Sequence, residues 1–156
     1  MKEKSVNVVL TSPPYWPLQR TYGGKGLGFE KKLTDYLANL VAILRQTKRV
    51  LRDDGALWIN LNDTYVDGDL QFIPTRLAMM MQADGWICRA EVVWLKTNTR
   101  PESVDNRPSR DFEKVLMFVK GKRYFYNPVR IPAQGGQVFR SDRGHCSELM
   151  AATIPI

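Results

Sequence analysis

The chain has 156 residues, 44% of them hydrophobic, 25% charged and 10% aromatic, which excludes disordered, collagen-like and membrane-embedded classes and describes one soluble domain. A chain of this length buries roughly 70% of its unfolded surface, enough for one core and too little for two full domains. Lys and Arg number 23 against 16 Asp and Glu, a net charge of +7, and the excess is uneven: residues 96–143 hold 11 basic and 5 acidic groups, residues 1–95 hold 12 and 10.

Val6, Val8, Val9 and Leu10 form a short apolar run, Ser5 to Leu10, closed by Pro13-Pro14. Such a run reads as a buried strand of a parallel sheet. A glycine-rich loop follows, and Thr34 suits the cap of a helix carrying Leu37, Leu40, Val41, Leu44 and Leu51 at helical spacing. Asp53-Asp54-Gly55 is expected to stop that helix. Ala56 to Leu61 is a second strand, with Asn62-Asp63 at its carboxyl end. Pro74 suits the first turn of a second helix that presents Leu77, Met80 and Met81 and ends at Gly85. Ile87 to Leu95 and Val115 to Val119 are further strands, separated by a long polar loop from Lys96 to Glu113. Gly121 then turns the chain into the run Arg123 to Tyr126, whose alternation also suits a strand. Beyond Pro128 no periodicity survives.

The alternation is that of an α/β, partial doubly wound Rossmann-like sheet of about four main strands with flanking helices, followed by an irregular basic C-terminal region. It divides the chain into a part spanning 1–126 and an irregular part spanning 127–156. Trp58 and Trp94 read as core, as do one or two of Tyr124, Phe125 and Tyr126. Cys88 and Cys146 are far apart and fit a reducing cytoplasm, Cys88 as a core residue. His145-Cys146 lacks ligand spacing, so no metal is expected. No apolar stretch is long enough to span a bilayer, and the polar start has no signal-peptide character.

Thr11-Ser12-Pro13-Pro14-Tyr15-Trp16 follows directly on the first strand, where open α/β sheets place ligand sites. Two consecutive prolines fix the backbone and remove two amide donors, so carbonyl oxygens remain as acceptors. An aromatic residue comes next. A rigid acceptor cluster beside a stacking surface suits an extruded base that carries an exocyclic amino group. The alternative reading of the same residues is a rigid turn.

Ser12-Pro13-Pro14-Tyr15 after an apolar strand resembles the catalytic motif of the DNA amino-methyltransferases, and Ser in the first position resembles the cytosine-N4 group more than the adenine-N6 group. The likeness continues in the family's own order. It runs through Gly28-Phe29-Glu30, Val50 to Asn60, Leu61-Asn62-Asp63-Thr64-Tyr65, Ile73-Pro74-Thr75-Arg76-Leu77, Gly85-Trp86-Ile87, Trp94 to Asn98, Pro101-Glu102-Ser103, and Arg107 to Lys120. Residues 5 to about 126 are covered. Phe112 stands where the family more often has His or Tyr. The family's Asp-Pro-Phe-x-Gly-x-Gly cofactor segment has no counterpart, since Gly24-Lys25-Gly26-Leu27-Gly28 follows the proline motif with no apolar strand before it.

The resemblance implies transfer of a methyl group from S-adenosylmethionine to the exocyclic N4 amine of cytosine in double-stranded DNA. Catalytic roles fall on Ser12, Pro13, Pro14 and Tyr15, and cofactor contacts on Thr11, Ser12, Pro13, Asn62 and Asp63. Asp63 equally suits a cap on the loop that follows it. DNA contacts fall on Trp16, Lys96, Asn98, Arg100, Arg107, Arg110, Lys122, Arg123, Arg130 and Arg140. With the cofactor segment absent, a homodimer or a second chain supplying the cofactor half is expected, the first strand offering an unpaired edge. Two alternatives stand beside this reading: a DNA-binding remnant without catalysis, or an adenine-N6 enzyme completed by a partner chain.

Overall fold

Val6, Val8 and Leu10 alternate with Asn7, Val9 and Thr11, and this six-residue stretch, Val6–Thr11, is the first strand, β1, in the computed structural model. The structure describes residues 1–17, 26–98 and 103–126. They fall, Tyr126 aside, in one compact unit, Met1–Phe125, and a second unit runs from Tyr126 to Ile156. Helix α1 spans Leu33–Val50 and strand β2 Leu51–Leu61. A two-residue hairpin, β3 (Tyr65–Val66) and β4 (Asp69–Leu70), leads to helix α2 (Ile73–Ala83), β5 (Ile87–Leu95) and β6 (Phe112–Val119). The four long strands form one sheet in the order β1-β2-β6-β5.

The sheet is mixed. β1 and β2 run parallel across α1, whereas β6 is antiparallel to both β2 and β5. The parallel reading therefore holds for the first pair alone. Between β5 and β6 the described residues form no helix, and the chain returns antiparallel along β5 and inserts beside β2. β1 is also an edge strand, not a buried one: Val8 is 54% and Leu10 73% exposed.

Helix α1 begins without a side-chain cap, because Lys32 holds the capping position and the Thr34 hydroxyl turns to Asp35. Nor does Asp53-Asp54-Gly55 stop it. The chain turns extended at Leu51 and pairs with Val6 at once, so these three residues lie inside β2. Between Val6 and Val8 a single residue of β1, Asn7, lies opposite four residues of β2, 52–55. Here strand pairing overrides the local turn signal. Arg52, Asp53 and Asp54 keep their side chains at the surface in exposed ion pairs, Arg52 with Asp54 and Lys4 with Asp53. Gly55 has a different reason to be there. A Cβ at this position would stand 2.7 Å from the Asn7 carbonyl oxygen and 2.8 Å from the Leu51 side chain.

The hairpin β3–β4 turns on Asp67 and Gly68, both with positive φ. That is the primed turn an Asp-Gly pair favours, and the sequence reading passes over it. One residue of β5, Arg89, is extra between Cys88 and Ala90, and its guanidinium donates to the Tyr124 hydroxyl.

One face of the sheet packs on both helices. Tyr36, Leu37, Leu40, Val41 and Leu44 of α1 and Ile73, Leu77 and Met81 of α2 cover Leu57, Ile59, Leu61, Leu116 and Phe118. Trp86 meets Phe118 edge-on, and Cys88 is half-buried against this core. The opposite face holds a smaller cluster, Ala56, Met117 and Val119, with Trp58, Ile87, Ala90 and Tyr124 against it. Trp94 does not join a core. It lies at the end of an edge strand, on the face without helices, and is 59% exposed. Of the three aromatics after Gly121, Tyr124 packs, Phe125 and Tyr126 are exposed, and no strand forms there. Among the described residues no helix is long and apolar enough to cross a membrane, and no group of three or more His, Cys, Asp or Glu is placed to hold a metal ion. Cys146 and His145 lie outside the described residues.

Gly55→Ala is expected to destabilise the chain by about 1–3 kcal/mol, since its added methyl meets the Asn7 carbonyl oxygen of the paired strand as well as the buried Leu51 side chain. Gly121→Ala, which meets nothing within 4 Å, is the matched control. Urea denaturation of both variants checks this, and equal midpoints would contradict it.

Candidate active site at the carboxyl ends of the first two strands

The carboxyl ends of β1 and β2 lie side by side, with Thr11 paired to Ile59. The antiparallel sense of β6 brings its first residues to that same edge, Lys114 opposite Leu61. The carboxyl end of β5 arrives there too, Leu95 opposite Phe112. The proline motif, Asn60 to Asp63, Lys96 and Glu113 are thereby gathered from positions far apart in the chain.

The proline loop is anchored from below. Pro13 is buried and Ser12 exposed. The fully buried Tyr36 of α1 donates its hydroxyl to the Pro14 carbonyl at 2.9 Å. Trp16 donates its indole N–H to the Glu30 carbonyl at 2.7 Å. Tyr15 turns its ring against the helix-side core and its hydroxyl toward β6. There it donates to Glu113 Oε2 at 2.9 Å, and Asn60 Nδ2 donates to the same oxygen at 2.6 Å and to the Tyr15 hydroxyl at 3.0 Å. The other carboxylate oxygen, Oε1, pairs with Lys96 Nζ at 2.5 Å.

Burial by itself would raise the Glu113 carboxyl, but hydrogen bonds from Lys96, Asn60 and Tyr15, together with the Lys96 charge, hold it below its ordinary value of 4.5. Tyr15 moves the other way. Burial first, then the Glu113 carboxylate, push its phenol well above the usual range, while the Ser12 and Asn60 side chains that face the hydroxyl act in the opposite sense. The phenol therefore stays a hydrogen-bond donor at any physiological pH.

Asn62 and Asp63 follow β2. The Asn62 side-chain oxygen accepts the Asp63 amide, and Asp63 Oδ1 accepts the amides of Thr64 and Ile73 at 3.1 and 2.9 Å. Asp63 is thus the cap of the following loop and of the start of α2. Its other oxygen faces Arg110 at 3.9 Å, with the carboxylate 4% exposed. Asn62, Asp63, Thr64, Tyr65, Arg107 and Arg110 line a cavity of about 260 Å³. Arg107 stacks over Tyr65 at 3.9 Å and Arg110 lies over Phe112 at 5.1 Å.

Of the residues singled out in the sequence for DNA contact, Lys96 and Arg110 face carboxylates of this edge, while Asn98, Lys122 and Arg123 are exposed. Lys120 is held by the Leu51 carbonyl and Asp53. Arg100, Arg130 and Arg140 lie outside the described residues. Sequence reading misses Asn60 and Glu113 as site residues. A polar Asn inside an apolar strand, and a Glu opening another, are the available signals.

A family model described as DNA methylase, of the N6/N4 methyltransferase group, matches residues 6–146. The Type II methyltransferase M.XycI of Xanthomonas campestris pv. cyanopsidis is 42% identical over 164 residues, covering 85% of this chain and 54% of the relative. M.SmaI of Serratia marcescens is 36% identical over 167 residues, covering 86% and 57%. The chain spans about half the length of these curated relatives. Among solved structures, the cytosine-N4-specific PvuII DNA methyltransferase superposes with a TM-score of 0.66 at 20% identity, over 80% of this chain and 45% of that one. A Thermus thermophilus protein assigned as a DNA modification methylase, complexed with S-adenosyl-L-methionine, gives 0.61 at 24% identity, over 83% and 51%. These two likenesses establish the fold.

Because the Glu113 carboxyl is depressed in the folded chain, its contribution to stability is present above pH 4.5 and is lost as pH falls through the depressed value. Glu113→Gln is therefore expected to flatten the acid limb of a stability-against-pH curve measured by thermal unfolding. Superimposable acid limbs for the two proteins would rule this out.

Proposed function

The chain belongs to the N6/N4 DNA methylase family, and we propose that it handles the target base in transfer of a methyl group from S-adenosylmethionine to the N4 amine of cytosine extruded from double-stranded DNA. The observation that carries this reading is the rigid Ser12-Pro13-Pro14-Tyr15 loop, braced by Tyr36 and Glu113, with Ser12 exposed at the carboxyl edge of the sheet. An exocyclic cytosine amine is a weak nucleophile because its lone pair is delocalised into the ring. Acceptors at both amino hydrogens, the Ser12 hydroxyl and the Pro13 carbonyl, would draw the nitrogen toward tetrahedral geometry and free that pair. The gain comes from positioning and preorganised dipoles, with no covalent enzyme intermediate. Tyr15 would offer its ring to the base while its hydroxyl stays tied to Glu113.

S-Adenosylmethionine brings a positively charged sulfonium that makes its methyl group transferable, and an ammonium group, and both seek acceptors. The end of β1 fits that demand: Thr11, Ser12 and Pro13 present hydroxyl and carbonyl oxygens beside an unpaired strand edge. Asn62 stands at the neighbouring strand end, while the Asp63 carboxylate is spent on two amides and Arg110, so Asp63 would brace the site rather than hold the cofactor. Cytosine rather than adenine rests on Ser12, and a cytosine-N4-specific structural neighbour supports it. Arg107, Lys122, Arg123 and the exposed Asn98 would meet DNA, with Trp16, Lys96, Arg100, Arg110, Arg130 and Arg140 as further contacts. Phosphate contacts of this kind give affinity that falls steeply with salt.

The assay is methyl transfer from labelled cofactor to mixed-sequence duplex DNA. Ser12→Ala is expected to lower the rate by about 10²–10³, the usual effect of removing one preorganised polar contact to a reacting group. The modified nucleoside should be N4-methylcytosine; N6-methyladenine would end the cytosine assignment.

The outer edge of β1, bearing Val8 and Leu10, supports association with a second copy or another chain. Sedimentation is expected to show a rising mass with concentration, and a strictly monomeric particle would exclude self-association.

A further inference from the structure

We propose that Glu113, together with Asn60, is a positioning residue for the proline motif, and that Lys96 makes the base of the long loop part of the same device; the assignment rests on the methyltransferase reading above. Three donors from three elements converge on one carboxylate whose side chain is 13% exposed: Tyr15 after β1, Asn60 in β2 and Lys96 after β5. Both oxygens are taken. A buried charge held this way adds little net stability over an apolar residue of similar shape, and the sheet already has apolar clusters on both faces. Its yield is geometric.

Tyr15 follows two prolines whose φ angles are fixed, so a held Tyr15 hydroxyl leaves the preceding backbone little freedom. The Pro14 carbonyl is fixed from the other side by Tyr36. The chain of contacts therefore runs from Lys96 through Glu113 to Tyr15, and Ser12 is tied to Tyr15 through the two prolines between them. Lys96 is the first residue after β5, and its backbone N–H donates to the Asp111 carbonyl at 2.8 Å, which closes the base of the loop between β5 and β6. Whatever moves that base moves the partner of Oε1. None of these residues other than Ser12 and Tyr15 touches the reacting atoms in the proposed reaction, so Glu113 and Asn60 act through Tyr15.

The test uses the full chain with 13C-labelled tyrosine, Tyr15→Phe identifying the Tyr15 ring signals. In Glu113→Ala those signals are expected to shift while those of Tyr36, Tyr65 and Tyr124 hold. Lys96→Ala, a change at a partly exposed side chain that leaves the carboxylate in place, should shift the same signals by less. Glu113→Gln keeps an acceptor for the phenol and loses the charge that Lys96 sees, so it should resemble Lys96→Ala. In methyl transfer to mixed-sequence duplex DNA, Glu113→Ala is expected to lower kcat by about tenfold with KM for DNA changed less than about twofold, and Glu113→Gln to recover most of the loss. Tyr15 signals that ignore both Lys96→Ala and Glu113→Gln overturn the proposal, as does a rise in KM with kcat unchanged. If the unaltered chain transfers no methyl group, the methyltransferase reading fails by itself, and the Tyr15 signals still decide the positioning assignment.

Discussion

β2 is paired in opposite senses on its two sides, parallel to β1 and antiparallel to β6, and the position of every polar group at the site depends on that arrangement. Parallel pairing puts the carboxyl ends of β1 and β2 together. Antiparallel pairing then brings the amino end of β6 to the same edge, which is how Glu113 comes within reach of Tyr15, 98 residues earlier in the chain. Were β6 parallel to β2, Glu113 would lie at the far end of the sheet. The helix-side core holds β2 and β6 in register, with Leu57, Ile59, Leu61, Leu116 and Phe118 all buried against α1 and α2.

The carboxylate at that edge is where solvation and pairing compete most directly. Removing Glu113 from water works against its charge, and three donors outweigh that penalty, so the group stays ionised. Asp63 is buried as well, and its carboxylate accepts two backbone amides. The two carboxylates divide the labour. Asp63 fixes the loop after β2 and the start of α2, and Glu113 fixes the proline loop and the base of the loop after β5. A loop built on prolines needs such bracing, because its own amide donors are missing and local backbone bonds cannot close it.

How much is legible in the sequence varies with how local the determinant is. Ile87–Leu95 reads with its observed bounds because a largely apolar run, broken only by Arg89 and Glu91, lies between Gly85 and a polar loop. The second helix reads nearly as found, since Pro74 and Gly85 punctuate it. The first helix is placed correctly but ended wrongly, because Asp53-Asp54-Gly55 carries the composition of a stop while pairing with β1 draws it into a strand. Trp94 reads as core on its hydrophobicity, although its place on an edge strand leaves it exposed. The proline motif is plain in the sequence. Its partners Asn60 and Glu113 are not, for a lone Asn or Glu in a strand carries no spacing signal until the strand order is known.

The sequence by itself determined the order of the two helices and four long strands, the family likeness carried by Ser12-Pro13-Pro14-Tyr15 and the segments after it, and the concentration of basic charge beyond residue 95. These are properties of neighbours along the chain: periodicity, turn chemistry and composition. Only the tertiary structure decided that the sheet is mixed and that Lys96, Asn60 and Tyr15 share one carboxylate. Each of those depends on which strands pair and in which sense. Long-range pairing is set by burial of the whole sheet against its helices, and no window along the sequence contains both partners.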